Sequence, residues 1–215
     1  LDRKLLISST DAFGLVLTDS QLDAFKLLSD ELQRWNRQIN LTALRSHEDI
    51  TIKHLVDSLR LAQVIGQGIR LLDIGSGAGF PSLPLAIIKP NLAITSIDAV
   101  TKKISFQKHI CRLLKLESFE AVHGRVEELA RNRPKHYDVV TSRAFSSFAQ
   151  FVKLASPLVR DGGKLIAMRG GDEDVEQKER SSLLESAGFE PEETFRYSLP
   201  HKKGQRCLVI VRKSL

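Results

Sequence analysis

Apolar positions recur at three- and four-residue steps at Leu22, Phe25, Leu28, Leu32, Trp35 and Ile39, the period of a helix with one buried stripe. Thr18 and Gln21 offer a capping box at its start. Ser46 with Asp49 opens a second helix, with Ile50, His54, Leu55, Leu59 and Ala62 on neighbouring turns and Gly66 and Gly68 as its stop. After residue 68 the rhythm becomes strand, turn, helix, strand. Short apolar runs predict strands over Ile69–Ile74, Ala93–Ile97, Phe119–Val122, Tyr137–Thr141 and Lys164–Met168. Helical stretches at Leu83–Ile88, Lys102–Leu116, Val126–Arg131, Ser147–Leu158 and Glu173–Ala187 lie between and after them. This alternation implies a parallel sheet covered by helices on both faces. Phe195–Leu199 and Arg206–Val211 are joined by Pro-His-Lys-Lys-Gly with no helix between, so an antiparallel strand is expected to close the sheet. The expected class is α/β, doubly wound, with residues 1–66 as a helical N-terminal cap packed on one core of residues 67–215.

The 215 residues are 42% hydrophobic and 27% charged, a globular balance in a chain long enough to keep a core without disulfides or metal. Cys111 and Cys207 lie in no CxxC or Cys/His cluster, which excludes a disulfide scaffold and argues against a structural zinc site. No apolar run approaches the roughly 20 residues of a membrane span and no signal-peptide pattern opens the chain, so the expected compartment is the reducing cytoplasm. Leu1 in place of methionine points to a trimmed amino terminus. The net charge of +6 and pI near 9.4 raise the expectation of a polyanionic partner, because Lys and Arg release counterions when they neutralise phosphates.

Asp73-Ile74-Gly75-Ser76-Gly77-Ala78-Gly79-Phe80-Pro81 follows the first strand directly. Alternate glycines let the backbone turn tightly and let a ligand approach where a Cβ would block it, and the carboxyl end of the first strand is where open α/β sheets hold nucleotides. A dinucleotide fingerprint wants glycine where Phe80 stands, and a pyrophosphate wants a helix start rich in N–H donors, whereas Pro81 and Pro84 remove them. S-adenosylmethionine has no phosphate. It needs a concave backbone surface and an acceptor for its ammonium, which Asp73 can help supply. Asp98 ends the second strand, where a carboxylate can accept both ribose hydroxyls. Val126 and Glu127 after the third strand are placed to wall and polar-tag an adenine.

The chain resembles the glucose-inhibited-division-B family of small-subunit ribosomal RNA guanine-N7 methyltransferases. The resemblance rests on WNRQINLT at Trp35–Thr42, KHLVDSL at Lys53–Leu59, DIGSGAGFPSLPL at Asp73–Leu85, RVEE at Arg125–Glu128, SRAF at Ser142–Phe145 and the terminal RCLVIVRK strand. It implies a Rossmann-like, class I S-adenosylmethionine-dependent fold. The implied reaction is methylation of N7 on one guanine in the decoding region, with ribosomal RNA or an assembling subunit as partner; separately, the chain is expected to be a monomer. The residues it carries over for the cofactor are Gly75, Phe80, Asp98, the Val126-Glu127 pair and Arg143, beside Asp73, Gly77, Gly79 and Ala99 of the same loops. The chain departs from the family's habit at Ser82, where glycine is common, at Ala99, commonly serine, and at Arg169, often lysine.

Guanine N7 has an exposed lone pair and no proton, so attack on a sulfonium methyl needs no general base and no catalytic residue is assigned; positioning is the task. The chain has no Asn/Asp-Pro-Pro-aromatic box for exocyclic amines and no Pro-Cys nucleophile. Arg125, Arg143 and Arg169 all end strands at the same edge, where three cations suit an RNA backbone, and Lys202 and Lys203 in the final hairpin can reach RNA too. Lys108, Arg112 and Lys115 read as a solvated helix face, the His54/Asp57 pair as a structural contact on one helix, and Asp172–Glu179 as an acidic solvent-facing stretch. The alternatives are a methyltransferase for another RNA or a small molecule, and a non-catalytic RNA-binding module. A nicotinamide dehydrogenase is disfavoured by Phe80.

Overall fold

The computed structural model describes the whole chain except residues 144, 146 and 171–176 and the side chains of 177–181. The start of the helix expected at Glu173 and most of the acidic stretch 172–179 lie outside the described residues. Strands β1 (Arg70–Ile74), β2 (Ala93–Asp98), β3 (Phe119–His123), β4 (Tyr137–Ser142), β5 (Val159–Gly170), β6 (Phe189–Ser198) and β7 (Gln205–Lys213) form one sheet in the order β3-β2-β1-β4-β5-β7-β6. β1 through β5 run parallel, as their alternation with helices requires. β7 is antiparallel to both neighbours. The antiparallel strand therefore sits inside the sheet, not at its rim, and β6 is the edge.

The helices are α1 (Arg3–Asp11), α2 (Asp19–Asn36), α3 (His47–Asp49), α4 (Asp57–Arg60), α5 (Ser82–Ile88), α6 (Thr101–Leu114), α7 (Val126–Asn132), α8 (Phe148–Ala155) and α9 (Gln177–Ser186). The capping box of α2 is complete: Gln21 N donates to Thr18 Oγ1 and Thr18 N to Gln21 Oε1, at 3.3 and 3.0 Å. Its stripe of Leu22, Phe25, Leu28 and Leu32 is buried against Leu83 of α5 and Phe106 and Ile110 of α6 in one core cluster. Trp35 meets Phe106 edge-on at 5.6 Å, and His109 of α6 pairs with Glu31 of α2 at 2.6 Å. The first 60 residues thus pack on the same side of the sheet as α5 and α6, over the glycine loop.

Three expectations change. The segment from Ser46 to Ala62 is helical, as its apolar spacing implies, but it widens into a π-helix over Ile50–Val56 and tightens to a 3-10 turn at Leu61–Gln63. α1 has too little apolar periodicity to announce itself; Asp2 caps it through Leu5 N at 3.0 Å. β6 is longer than the apolar run Phe195–Leu199 because its Glu190–Glu193 half is charged and bulged, as befits an edge that must not recruit another strand.

Candidate active site

The loop from Gly75 to Pro81 leaves the carboxyl end of β1 and turns into α5. Gly75, Gly77 and Gly79 have φ of +67°, +62° and +88°, the left-handed region that a side chain rarely enters. At Gly79 a Cβ would stand 2.5 Å from Leu83 Cδ1, so this glycine lets the bend pack on α5. At Gly75 and Gly77 a Cβ would meet nothing within 4 Å among the described residues. Those two face open space in front of the sheet. Gly75 N and Ser76 N donate to Ile97 O at 2.9 and 3.2 Å, which ties the bend to β2.

Gln107 pins the bend from beneath. Its Nε2 donates to Gly77 O at 2.8 Å and Ser76 Oγ at 2.9 Å, and its Oε1 accepts from Ser96 Oγ at 2.6 Å. Gln107 is fully buried, and its only trace in the sequence is one amide among the apolar positions of α6.

Two carboxylates flank the loop. Asp98 accepts from Gly77 N at 2.9 Å through Oδ2 and from Val100 N at 2.8 Å through Oδ1, with Lys103 Nζ at 3.5 Å. Each oxygen keeps a further lone pair, enough for two hydroxyl donors. Ala99 beside it is exposed, Val126 opens α7 from the buried side and Glu127 is exposed in that helix's first turn. Asp73 is 1% exposed. Its Oδ2 accepts the Ser82 hydroxyl, so the serine that departs from the family's glycine has a function in this chain. Its Oδ1 is buried with no hydrogen-bond partner among the described residues. Burial pushes the Asp73 carboxyl up to about 7, against the opposing pull of Ser82 and Arg143.

The bend therefore suits S-adenosylmethionine on grounds of its own chemistry. It has open space over two glycines, an acceptor pair at Asp98 and an orphaned buried oxygen at Asp73 for which a donor group is wanting.

On the other side, Arg143 follows β4 and reaches into the N-terminal helices. Its Nη1 donates to Lys53 O at 2.8 Å, its Nη2 to His54 Nδ1 at 3.1 Å, and Asp57 Oδ2 lies 3.7 Å from Nη1. Asp57 also accepts from the Tyr197 hydroxyl at 2.7 Å. Burial raises the Asp57 carboxyl above its usual range, opposed chiefly by the Arg143 charge. Phe80, 2% exposed, carries the His54 ring stacked at 4.3 Å, with the Arg143 guanidinium carbon 5.9 Å from its centroid. His54 and Asp57, expected to pair with each other, each face Arg143 instead.

Lys53, His54, Asp57, Arg143, Arg169 and Arg206 line one cleft of about 370 Å³. Of the three strand-end arginines, Arg143 and Arg169 converge there. Arg125 does not: it follows β3, three strand spacings or roughly 14 Å across the sheet from the end of β4. Lys53 and Arg206 take its place, and neither stands out in the sequence because they come from segments 150 residues apart. Lys203 is held by Glu48 and Asp49 at 3.4 and 3.2 Å, which fastens the hairpin to α3, while Lys202 is exposed. Lys108, Arg112 and Lys115 are exposed, Lys115 in the left-handed conformation just past α6. A larger cleft of about 610 Å³, between the ends of α5 and α6 and the start of α2, opens at the amino edge of the sheet and touches none of the glycine loop.

Comparisons with known proteins bear on the fold and on the family. A family model described as rRNA small subunit methyltransferase G matches residues 21–206. Ribosomal RNA small subunit methyltransferase G of Geotalea uraniireducens (strain Rf4) is 44% identical over 211 residues, covering 98% of this chain and 96% of that protein. The protein of the same name from Acetivibrio thermocellus is 34% identical over 215 residues, covering 98% and 88%. Among solved structures, a SAM-dependent methyltransferase from Methanosarcina mazei superposes with a TM-score of 0.57 at 18% identity, over 73% of this chain and 97% of that one. Precorrin-6y C5,15-methyltransferase from Geobacter metallireducens gives 0.54 at 13% identity, over 74% and 87%. At those identities the likeness is one of fold. The sequence matches go further: the chain belongs to the rRNA small subunit methyltransferase G family.

Proposed function

We propose that this chain transfers the methyl group of S-adenosylmethionine to N7 of one guanine in small-subunit (16S) ribosomal RNA. The observation that carries the reading is the adjacency of two half-sites: an open glycine bend between Asp73 and Asp98, and a cleft ringed by Lys53, Arg143, Arg169 and Arg206. Family membership supplies the rRNA and the methyl transfer. When bound, S-adenosylmethionine supplies a methyl carbon on a positively charged sulfur. Gly75 and Gly77 let the backbone approach it while Gly79 packs the bend on α5, Asp73 accepts at its amino-acid end, and Asp98 with Ala99 takes the ribose. Val126 and Glu127 border the adenine, and Arg143 with Phe80 closes the side toward the substrate.

N7 carries no proton, so no residue of the cleft has to remove one. What these residues contribute is placement, holding N7 at about 3 Å and in line with the departing sulfur. Arg143, Arg169, Arg206 and Lys53 hold the RNA backbone, with Lys202 and Arg125 as outlying contacts. The chain works in the cytoplasm as a monomer, its cap of residues 1–66 set on a catalytic core of residues 67–215. Labelled methyl donor, incubated with small-subunit rRNA or subunits from a strain lacking the modification, tests this. The expected product is 7-methylguanosine by mass spectrometry of the nucleosides; label on another nucleoside, or none, overturns the reading.

A further inference from the structure

The N-terminal cap contributes more than a cover. His54 is 7% exposed, and its two ring nitrogens face two different partners: Nδ1 the Arg143 guanidinium at 3.1 Å, and Nε2 the Thr42 hydroxyl at 2.8 Å. A guanidinium only donates. Nδ1 must therefore be the bare, accepting nitrogen, and the ring proton sits on Nε2, which donates to Thr42 Oγ1. Thr42 Oγ1 also accepts from Leu44 N at 3.1 Å. The Thr42 main chain is clamped in turn by Asn36, whose Oδ1 accepts from Thr42 N and Leu41 N at 3.0 and 2.7 Å and whose Nδ2 donates to Thr42 O at 2.9 Å. From Asn36 to Arg143 runs one connected set of hydrogen bonds: Asn36 holds the Thr42 main chain in place, and Arg143, which can only donate, fixes the ring tautomer.

We propose that His54 is a positioning residue for methyl transfer: held in place by Thr42 and required by the Arg143 donor to be the Nε2–H tautomer, it presents Nδ1 as a fixed acceptor that sets the Arg143 guanidinium beside Phe80. The Phe80 ring, stacked on His54 at 4.3 Å and 10°, prevents the imidazole from turning over. Lys53 O, from the widened π-turn, supplies the second fixed acceptor for Arg143. Charging the imidazole would replace an acceptor by a second cation against Arg143. Burial and the Arg143 charge push its pKa down to about 3, so it stays neutral through the working range. Thr42 and Phe80 contact the ring, Lys53 O and Asp57 the guanidinium; the other charged or titratable groups around them are Asp73 on the glycine-bend side, Tyr197 bonded to Asp57, and Arg169 and Arg206 across the cleft. Asp57 holds Arg143 from the other side but does not touch the ring.

The inference rests on the proposed methyl transfer for its functional half, and the test separates the two. In the ¹⁵N-histidine spectrum of the whole wild-type protein, His54 Nδ1 is expected to be unprotonated and Nε2 protonated, unchanged from pH 5 to 8. The opposite tautomer, or titration within that range, overturns the proposal whatever the enzyme methylates. In the transfer assay, His54→Phe keeps a ring on Phe80 but offers no acceptor, and kcat is expected to fall about 30-fold, in keeping with the roughly hundredfold cost of an ångström's misplacement. His54→Asn, with an amide oxygen near the position of Nδ1, is expected to recover at least tenfold of that. In an Arg143→Ala background His54→Phe is expected to cost less than threefold more, because the histidine acts through the arginine. Equal losses in the Phe and Asn variants, or full additivity with Arg143→Ala, overturn it. A wild-type protein with the expected tautomer but no methyl transfer to rRNA refutes the proposed function and leaves the hydrogen-bond chain standing.

Discussion

The imidazole of His54 lies flat on the ring of Phe80, centroids 4.3 Å apart and planes 10° from parallel, so the cap and the glycine bend share one wall. Phe80 is also part of the cluster that joins α2 to α5 and α6. Phe80→Ala should therefore loosen the cap and the bend together. A loss of about 3–5 kcal/mol is expected in urea denaturation, the usual cost of emptying a buried phenylalanine site. A loss under about 1 kcal/mol would show that the wall contributes nothing to the fold.

The glycines of the bend divide into two kinds, and their substitutions should separate. Gly77→Val places a side chain at φ +62° in the open space proposed for the cofactor. Its expected effect is at least a hundredfold weaker binding of S-adenosylhomocysteine by calorimetry, with cooperative unfolding retained. Gly79→Ala drives a Cβ to within 2.5 Å of Leu83, so it should destabilise by about 1–3 kcal/mol through overpacking. Wild-type affinity in Gly77→Val would remove the bend from the cofactor site.

Asp73 gives the protein a pH signature. A carboxyl raised on folding to about 7 binds more protons folded than unfolded between its unfolded pKa near 4 and that value. Stability should thus fall as pH climbs through that window, by on the order of 2–4 kcal/mol, and level off above it. Asp73→Asn should abolish the slope. A cofactor ammonium favours the ionised form, so wild-type affinity for S-adenosylhomocysteine should tighten by up to about tenfold per pH unit from 5 to 7, while the Asn variant stays flat. Parallel pH profiles for the two proteins in denaturation and calorimetry would refute the assignment.

Cations of the cleft should report themselves in salt. Removing Arg169 or Arg206 by alanine is expected to weaken rRNA binding and to reduce the slope of log K against log salt by about 0.7–0.9 each, one phosphate contact apiece. Arg143→Ala should keep the fold and lose most methyl transfer. Arg125→Ala, on the far side of the sheet, should alter neither turnover nor slope by as much as the cleft residues do. A slope unchanged by both Arg169→Ala and Arg206→Ala would place the RNA elsewhere.

Much of the fold is written in local pattern. The capping box at Thr18, the strand-glycine-helix step at Asp73–Pro81 and the antiparallel pairing of β6 with β7 depend on neighbours in the chain, and each forms as the pattern implies, although the link before β7 makes a 3-10 turn at Pro200–Lys202 where no helix is expected. What local pattern does not reveal are relationships across distance. β7 slips between β5 and β6 because the charged half of β6 tolerates an edge, and nothing near β7 announces that. Lys53 and Arg206 join Arg143 only because the π-helix and the last strand meet at the cleft. Gln107 looks like a stray amide until the bend above it is built. Arg125 misleads for the converse reason: it shares an edge with Arg143 but not a neighbourhood, since strand order and chain order differ.

A crystal structure of the protein with S-adenosylhomocysteine tests the central claim most directly. The amino-acid end is expected over Gly75–Gly79 toward Asp73, the ribose hydroxyls on Asp98 and the adenine between Ala99 and Val126. The sulfur should then open toward the cleft of Arg143, Arg169 and Arg206. A ligand seated elsewhere, or one whose sulfur points away from those arginines, would contradict it.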